Sequence, residues 1–220
     1  MKHLTIALCA SSILFFSCNN NSEKTGAAKT DSATTSSDVK KTDEAWVPID
    51  SATQMKAMMA YATPGDMQKM MASWDGTWNG DMTMWDHEGA PPQKMVGTAV
   101  NTMILGGRYQ SSKHTGNMMG MPFEGMSVMG YDNALKKFVS SWFDNFGTGI
   151  MMMSGPWDEA TKTLTLTGTV PDICRPGKEC TMREVFKVID ENTQHMEMYG
   201  PDNKTGKEYK MMEINMTRKK

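Results

Sequence analysis

Polar and apolar positions along the chain follow two different rhythms, and the change between them divides it. Between residues 51 and 73 apolar side chains recur at helical spacing. Met55, Met58, Met59 and Tyr61 make a first piece that Asp50 or Ser51 can cap. Thr63-Pro64-Gly65-Asp66 predicts a second start, with Thr63 as N-cap, Pro64 at the first helical position and an acid at the third. Met67, Met70 and Met71 then fall at i, i+3 and i+4, a stripe suited to covering a hydrophobic surface. From Trp74 onward the period is two. Thr163-Leu164-Thr165-Leu166-Thr167 alternates strictly, and Met95–Ile104, Phe123–Tyr131, Phe138–Asp144 and Met211–Thr217 do so less regularly. Turn chemistry at Leu105-Gly106-Gly107, Tyr131-Asp132-Asn133, Asn145-Phe146-Gly147, Trp157-Asp158-Glu159, Asp190-Glu191-Asn192 and Pro201-Asp202-Asn203 separates about ten strands. These are 77–85, 94–104, 108–116, 123–131, 138–144, 149–157, 163–170, 181–189, 195–199 and 208–217. Short successive strands with tight turns make an antiparallel meander, which packs as a sandwich or closes as a barrel. Closure alone removes both edges. The predicted fold is mostly β: an antiparallel up-and-down β-barrel over 74–220, preceded by a short helical segment over 51–73.

Charge narrows the partners. A formal net charge of −2 over 220 residues, with 22% charged positions, argues against a nucleic-acid partner. The N-terminus has its own pattern: Met1-Lys2-His3 opens an apolar run from Leu4 to Phe16, and Ser17 places a small residue before Cys18. This resembles a bacterial lipoprotein signal over 1–17. The resemblance implies a chain cut before Cys18, acylated on that thiol, exported and anchored to the membrane of the cell envelope. Phe15 departs from the usual pattern, where Leu is commonest, and Cys9 lies inside the apolar run with Leu8 before it. An ordinary secretory signal with an incidental cysteine is the alternative. Asn19 after the cysteine resembles outer-membrane sorting. Residues 18–50, rich in Ser, Thr, Asn, Lys and Asp, read as a disordered tether reaching roughly 30 Å.

Several blocks in the β region resemble one family. Trp74-Asp75-Gly76-Thr77-Trp78, Ile104-Leu105-Gly106-Gly107-Arg108-Tyr109, Met118-Met119-Gly120-Met121-Pro122-Phe123-Glu124-Gly125-Met126 and Gly130-Tyr131-Asp132-Asn133 are similar to the domain-of-unknown-function family 1579. The similarity spans nearly all of 64–220. It implies a lipocalin-like barrel with no established activity, and it makes heavy methionine usage partly a family habit. The departures are the leader and the Cys174–Cys180 insert. Gly76-Thr77-Trp78 is similar to the Gly-x-Trp that opens lipocalins, where the Trp packs under a basic side chain of the last strand. Arg218 is the expected partner.

The chemistry-bearing residues are few, and methionine dominates them: 25 Met against 18 aromatic residues. Cys174 and Cys180, symmetric about Gly177, are expected to pair as a disulfide in an exported chain, with a free dithiol or a metal pair as the alternatives. Thioethers are soft and select Cu(I), so His114 with Met118, Met119 and Met121 forms a possible metal set, with Met151-Met152-Met153 a second. Met152 cannot share a strand face with its two neighbours. The same side chains read otherwise as a pocket: a Met-rich barrel interior, with Trp78, Met103, Met129, Trp142, Met151 and Met153 as ligand-contacting residues and Phe143, Leu164 or Leu166 nearby. Enzyme signatures are missing. Gly125-Met126-Ser127-Val128-Met129-Gly130 is one residue too long for a nucleophile elbow, and His87-Glu88 continues Gly-Ala-Pro. No catalytic residue and no cofactor are expected; haem held by one of the scattered histidines is a further alternative. The functional expectation is non-enzymatic binding of a small apolar ligand. Its alternatives are Cu(I) buffering and a structural or partner-binding envelope role.

Overall fold

The structure, a computed structural model, describes residues 45–220; the expected signal, the lipidation at Cys18 and most of the tether lie outside the described residues. Helix α1 (Ser51–Ala62) is capped by Asp50, whose carboxylate accepts from the amides of Ala52 and Thr53 at 3.0 Å. Its methionines, Met55, Met58 and Met59, remain exposed, so only part of the expected helical stripe covers anything. Helical spacing collects side chains on one face, but a face is buried only if a surface lies opposite it. α1 is held instead at its C-terminus, where Asn133 Nδ2 donates to the carbonyls of Tyr61 and Thr63, each at 2.9 Å.

Helix α2 (Asp66–Ala72) starts later than its sequence suggests. Thr63 precedes a proline, which disfavours helical dihedrals there, and it adopts an extended conformation that ends α1. Its amide and hydroxyl both donate to the carbonyl of Met59. Gly65 is the N-cap of α2, donating its amide to Gln68 Oε1 at 2.8 Å. The stripe on α2 does cover the core: Met71 is fully buried, and Met67 and Met70 pack on the core cluster.

Eleven strands follow: β1 (Gly76–Met84), β2 (Gln93–Ile104), β3 (Tyr109–Met118), β4 (Met121–Asp132), β5 (Lys137–Asp144), β6 (Met151–Gly155), β7 (Trp157–Asp158), β8 (Thr163–Pro171), β9 (Glu179–Asp190), β10 (Thr193–Pro201) and β11 (Glu208–Arg218). Every pairing is antiparallel, sequential strands are neighbours, and β1 pairs with β11 from Trp78↔Arg218 to Met84↔Met212. β6 and β7 are one stave broken at Pro156, which has no amide to give the ladder. This stave meets β8 through Ser154↔Thr167 and Trp157↔Leu164, closing a ten-stave barrel. That seam is tight because it is built on glycine. A Cβ on Gly155 would lie 1.8 Å from the carbonyl oxygen of Thr165, and one on Gly168 would lie 2.2 Å from that of Met152.

One end of the barrel is sealed by α2. Met71 and Trp74 pack with Phe138, Met153, Leu164, Leu166 and Met198 in the core cluster. The Trp74 ring lies 5.1 Å from that of Phe186 and 5.9 Å from that of Trp157. The last carbonyls of a helix lack intrahelical donors, and here the barrel wall supplies them. Gln110 Nε2 donates to Met71 O at 2.8 Å, while Asn101 Nδ2 and Trp78 Nε1 donate to Trp74 O at 3.1 and 2.9 Å. Arg218 completes the base. Its guanidinium lies 4.3 Å above the Trp78 ring and donates to the carbonyls of Ser73, Asp75 and Glu191. The expected partnership of the opening Trp with a basic residue of the last strand is therefore present.

Candidate functional site

The register decides which methionines point inward. Alternate residues share a face, and Phe138, Leu164, Leu166 and Met198 mark the inner one. Across the ladders this places Met82, Met95, Met103, Met129, Met182, Met196, Ile214 and Met216 on the interior. All six residues expected to contact a ligand, Trp78, Met103, Met129, Trp142, Met151 and Met153, lie on this face. Trp78 and Met153 are buried within the packed base and wall, whereas the other four keep part of their surface exposed. Phe143 is a correction: in β5 the inward positions are Phe138, Ser140 and Trp142, so Phe143 faces out.

Packing is dense at the base and looser above it. Met82, Met95, Met118, Met182, Met196, Ile214 and Met216 face inward yet stay partly exposed. A cavity of about 60 Å³ lies among Trp78, Met82, Met95, His114, Met118 and Phe123. That holds a few heavy atoms, so a larger occupant has to displace methionine side chains, which have the rotamer freedom to move. A larger recess of about 500 Å³ lies outside the barrel, between Pro64, Tyr109, Tyr131, Val139 and Met152.

Two of the inward-facing ionisable side chains, on opposite walls, are the ones that burial shifts furthest. His114 on β3 lies edge-on to the Trp142 ring at 4.9 Å, and burial pushes its imidazole down to about 4. Trp142 in turn donates its indole N–H to Asp144 Oδ2 at 2.7 Å. Glu184 on β9 has Leu166 and Met198 as cross-strand neighbours, and burial among them pushes its carboxyl up to about 7. Sequence reading missed Glu184, although Met182, Glu184, Phe186 and Val188 occupy alternate positions of one strand, and an acid within an apolar alternation is the signal.

The residues of the Cu(I) reading are divided. His114 and Met118 line the same small cavity, while Met119 and Met121 sit at the β3–β4 turn, 67% and 50% exposed. Met151 and Met153 share the inner face and Met152 does not. Another grouping, spread over two strands in sequence, is assembled on the outer face: His195, Glu197 and Glu213 have ligand atoms within 4.8 Å of one another. The Lys210 ammonium already sits among them, 3.1 Å from Glu197 Oε1 and 2.6 Å from Glu213 Oε2. It supplies the positive charge that the carboxylates need.

The structure does not join the two cysteines. Among the described residues Cys174 and Cys180 are free thiols. Cys180 pairs with Val170 on the inner face of β9, whereas Cys174 is exposed in a turn organised by Asp172, whose carboxylate accepts its amide at 3.0 Å. The loop is closed by Asp172 N donating to Lys178 O at 2.9 Å.

With this geometry in place, the family described as "Protein of unknown function (DUF1579)" matches residues 63–218. No curated protein matches the chain. Among solved structures, that of Rv2717c from M. tuberculosis superposes over 72% of this chain and 100% of its own, with 9% identity and a TM-score of 0.54. The S-type phycobiliprotein lyase CPES from Guillardia theta covers 74% of this chain and 97% of its own at 6% identity, with a TM-score of 0.49. At such identities the first likeness is one of fold.

Proposed function

The chain belongs to the DUF1579 family, whose domain is a lipocalin-like barrel of unknown function, and on that premise we propose that it binds a small apolar molecule inside the barrel without transforming it. One observation carries the reading: above the sealed base, methionine after methionine faces inward while keeping part of its surface exposed. A barrel that existed only to be stable would pack those positions as it packs Leu164 and Leu166. Flexible thioether chains instead line a lumen that adapts to its occupant. α2 closes one end, so the ligand enters at the other, among the loops that follow β1, β3, β5, β8 and β10. We further read the protein as exported and held at the cell envelope through acylated Cys18, on the strength of the leader sequence alone. Native mass spectrometry of the full chain purified from its own host tests the binding reading. A co-purified small mass that is lost on denaturation is expected. A ligand-free protein that takes up no apolar compound from a lipid extract would overturn it.

A further inference from the structure

Resting on that binding reading, we propose that the ligand is a lipophilic amine, and that the Glu184 carboxyl receives its nitrogen while the methionines hold its apolar body. Glu184 points into the barrel by register, flanked across the ladders by Leu166 and Met198 and along its own strand by Met182 and Phe186. Among the described residues no group donates a hydrogen bond to it, and the residue as a whole is only partly buried. The inward residues of β8 are Leu164, Leu166, Gly168 and Val170, and those of β10 are Gln194, Met196, Met198 and Gly200. None is ionisable. α2 presents Met67, Met70 and Met71 to the core, Cys180 is the next titratable group along β9, and His114 stands on the opposite wall.

A carboxyl placed in apolar surroundings without a partner is costly, and the cost falls when a donor or a cation arrives. A carboxylate ligand would bring like charge, and a hydrocarbon would leave the acid unpaired. An ammonium group supplies both charge and donors. The raised position of the carboxyl adds a pH signature. Ammonium binding needs the ionised acid, so between pH 8 and pH 5.5 the affinity for an amine falls about thirty-fold, while a neutral ligand is unaffected.

Decylamine, decanol and decanoate, titrated calorimetrically below their aggregation concentrations into the full chain, provide the test. At pH 8 decylamine is expected to bind at least tenfold more tightly than decanol, with decanoate weakest. Glu184→Gln should abolish the amine preference and leave decanol binding unchanged. Should that variant fail to fold, the pH dependence of the wild-type protein decides the matter alone. Decanol and decylamine binding equally, or an amine preference that survives in Glu184→Gln or at pH 5.5, overturns the inference while leaving apolar binding intact. If none of the three probes binds, the underlying reading falls with it.

Discussion

Replacing Gly155 with alanine should open the barrel at its seam. A Cβ there would stand 1.8 Å from Thr165 O, 2.9 Å from Thr165 C and 3.2 Å from Leu166 Cα. All three are backbone atoms of the facing stave, so no side chain can swing away. Carbon–oxygen contacts below about 3.0 Å are essentially never seen, and β6 and β8 must separate by at least about 1.2 Å. Overpacking of a rigid contact costs roughly 1–3 kcal/mol. The sparse bridge at Ser154↔Thr167 would be lost as well, at about 1 kcal/mol for a hydrogen bond. The total, roughly 2–4 kcal/mol, corresponds to a fall in Tm of about 5–15 °C for a domain of this size. Gly147→Ala is the control, since a Cβ there meets nothing within 4 Å, and its effect should stay within about 0.5 kcal/mol. Thermal unfolding followed by circular dichroism measures both. Equal melting temperatures for Gly155→Ala and Gly147→Ala would refute the tight seam, and with it the closure of the barrel at that stave.

Three further outcomes are expected. Arg218→Met removes the donors to three carbonyls at the base and the cation above Trp78. Urea unfolding should show a loss of roughly 2–4 kcal/mol, of which Arg218→Lys, lacking the planar fork, restores less than half. Burial has opposite effects on Glu184 and His114, so their pH dependences oppose each other. The folded chain holds Glu184's proton between about 4.5 and 7, which lowers stability as pH rises, whereas the unfolded chain holds His114's proton between about 4 and 6.5, which raises it. Stability should be nearly flat from pH 4.5 to 6.5. Glu184→Gln should expose a rise and His114→Gln a fall, each of up to about 3 kcal/mol, and unchanged slopes in both variants would contradict the placement of these groups. Removing residues 45–62 should leave Tm within about 2 °C, because α1 buries none of its residues. A collapse of the fold would show that α1 is part of it.

The barrel was legible because its alternation is local: each strand carries its own period, and the turns between strands carry Gly, Asn and Asp. Parity along a strand also placed Met151 and Met153 together and left Met152 out. What stayed hidden depends on what a segment meets. Met55, Met58 and Met59 show the same spacing as Met67, Met70 and Met71, yet only α2 finds a barrel mouth to fill. Phe143 follows Trp142 directly, and its outward direction depends on a register that no single strand reveals. The Cys174–Cys180 spacing resembles a hairpin staple, but its two ends belong to different settings, an Asp172-organised turn and an inward strand position. Glu184 could have been found from the parity of Met182, Phe186 and Val188. Its lack of a partner could not, since that depends on β8 and β10 offering none.

The most direct measurement of the central claim is methyl NMR on protein labelled at its methionine methyl groups, titrated with an apolar ligand such as decanol. The inward residues Met103, Met129, Met182 and Met196 should shift together in one saturable process, while Met55, Met58, Met119 and Met152, exposed at the surface, stay in place. Shifts confined to the exposed methionines, or a titration that moves none of the inward ones, would contradict a ligand site inside the barrel.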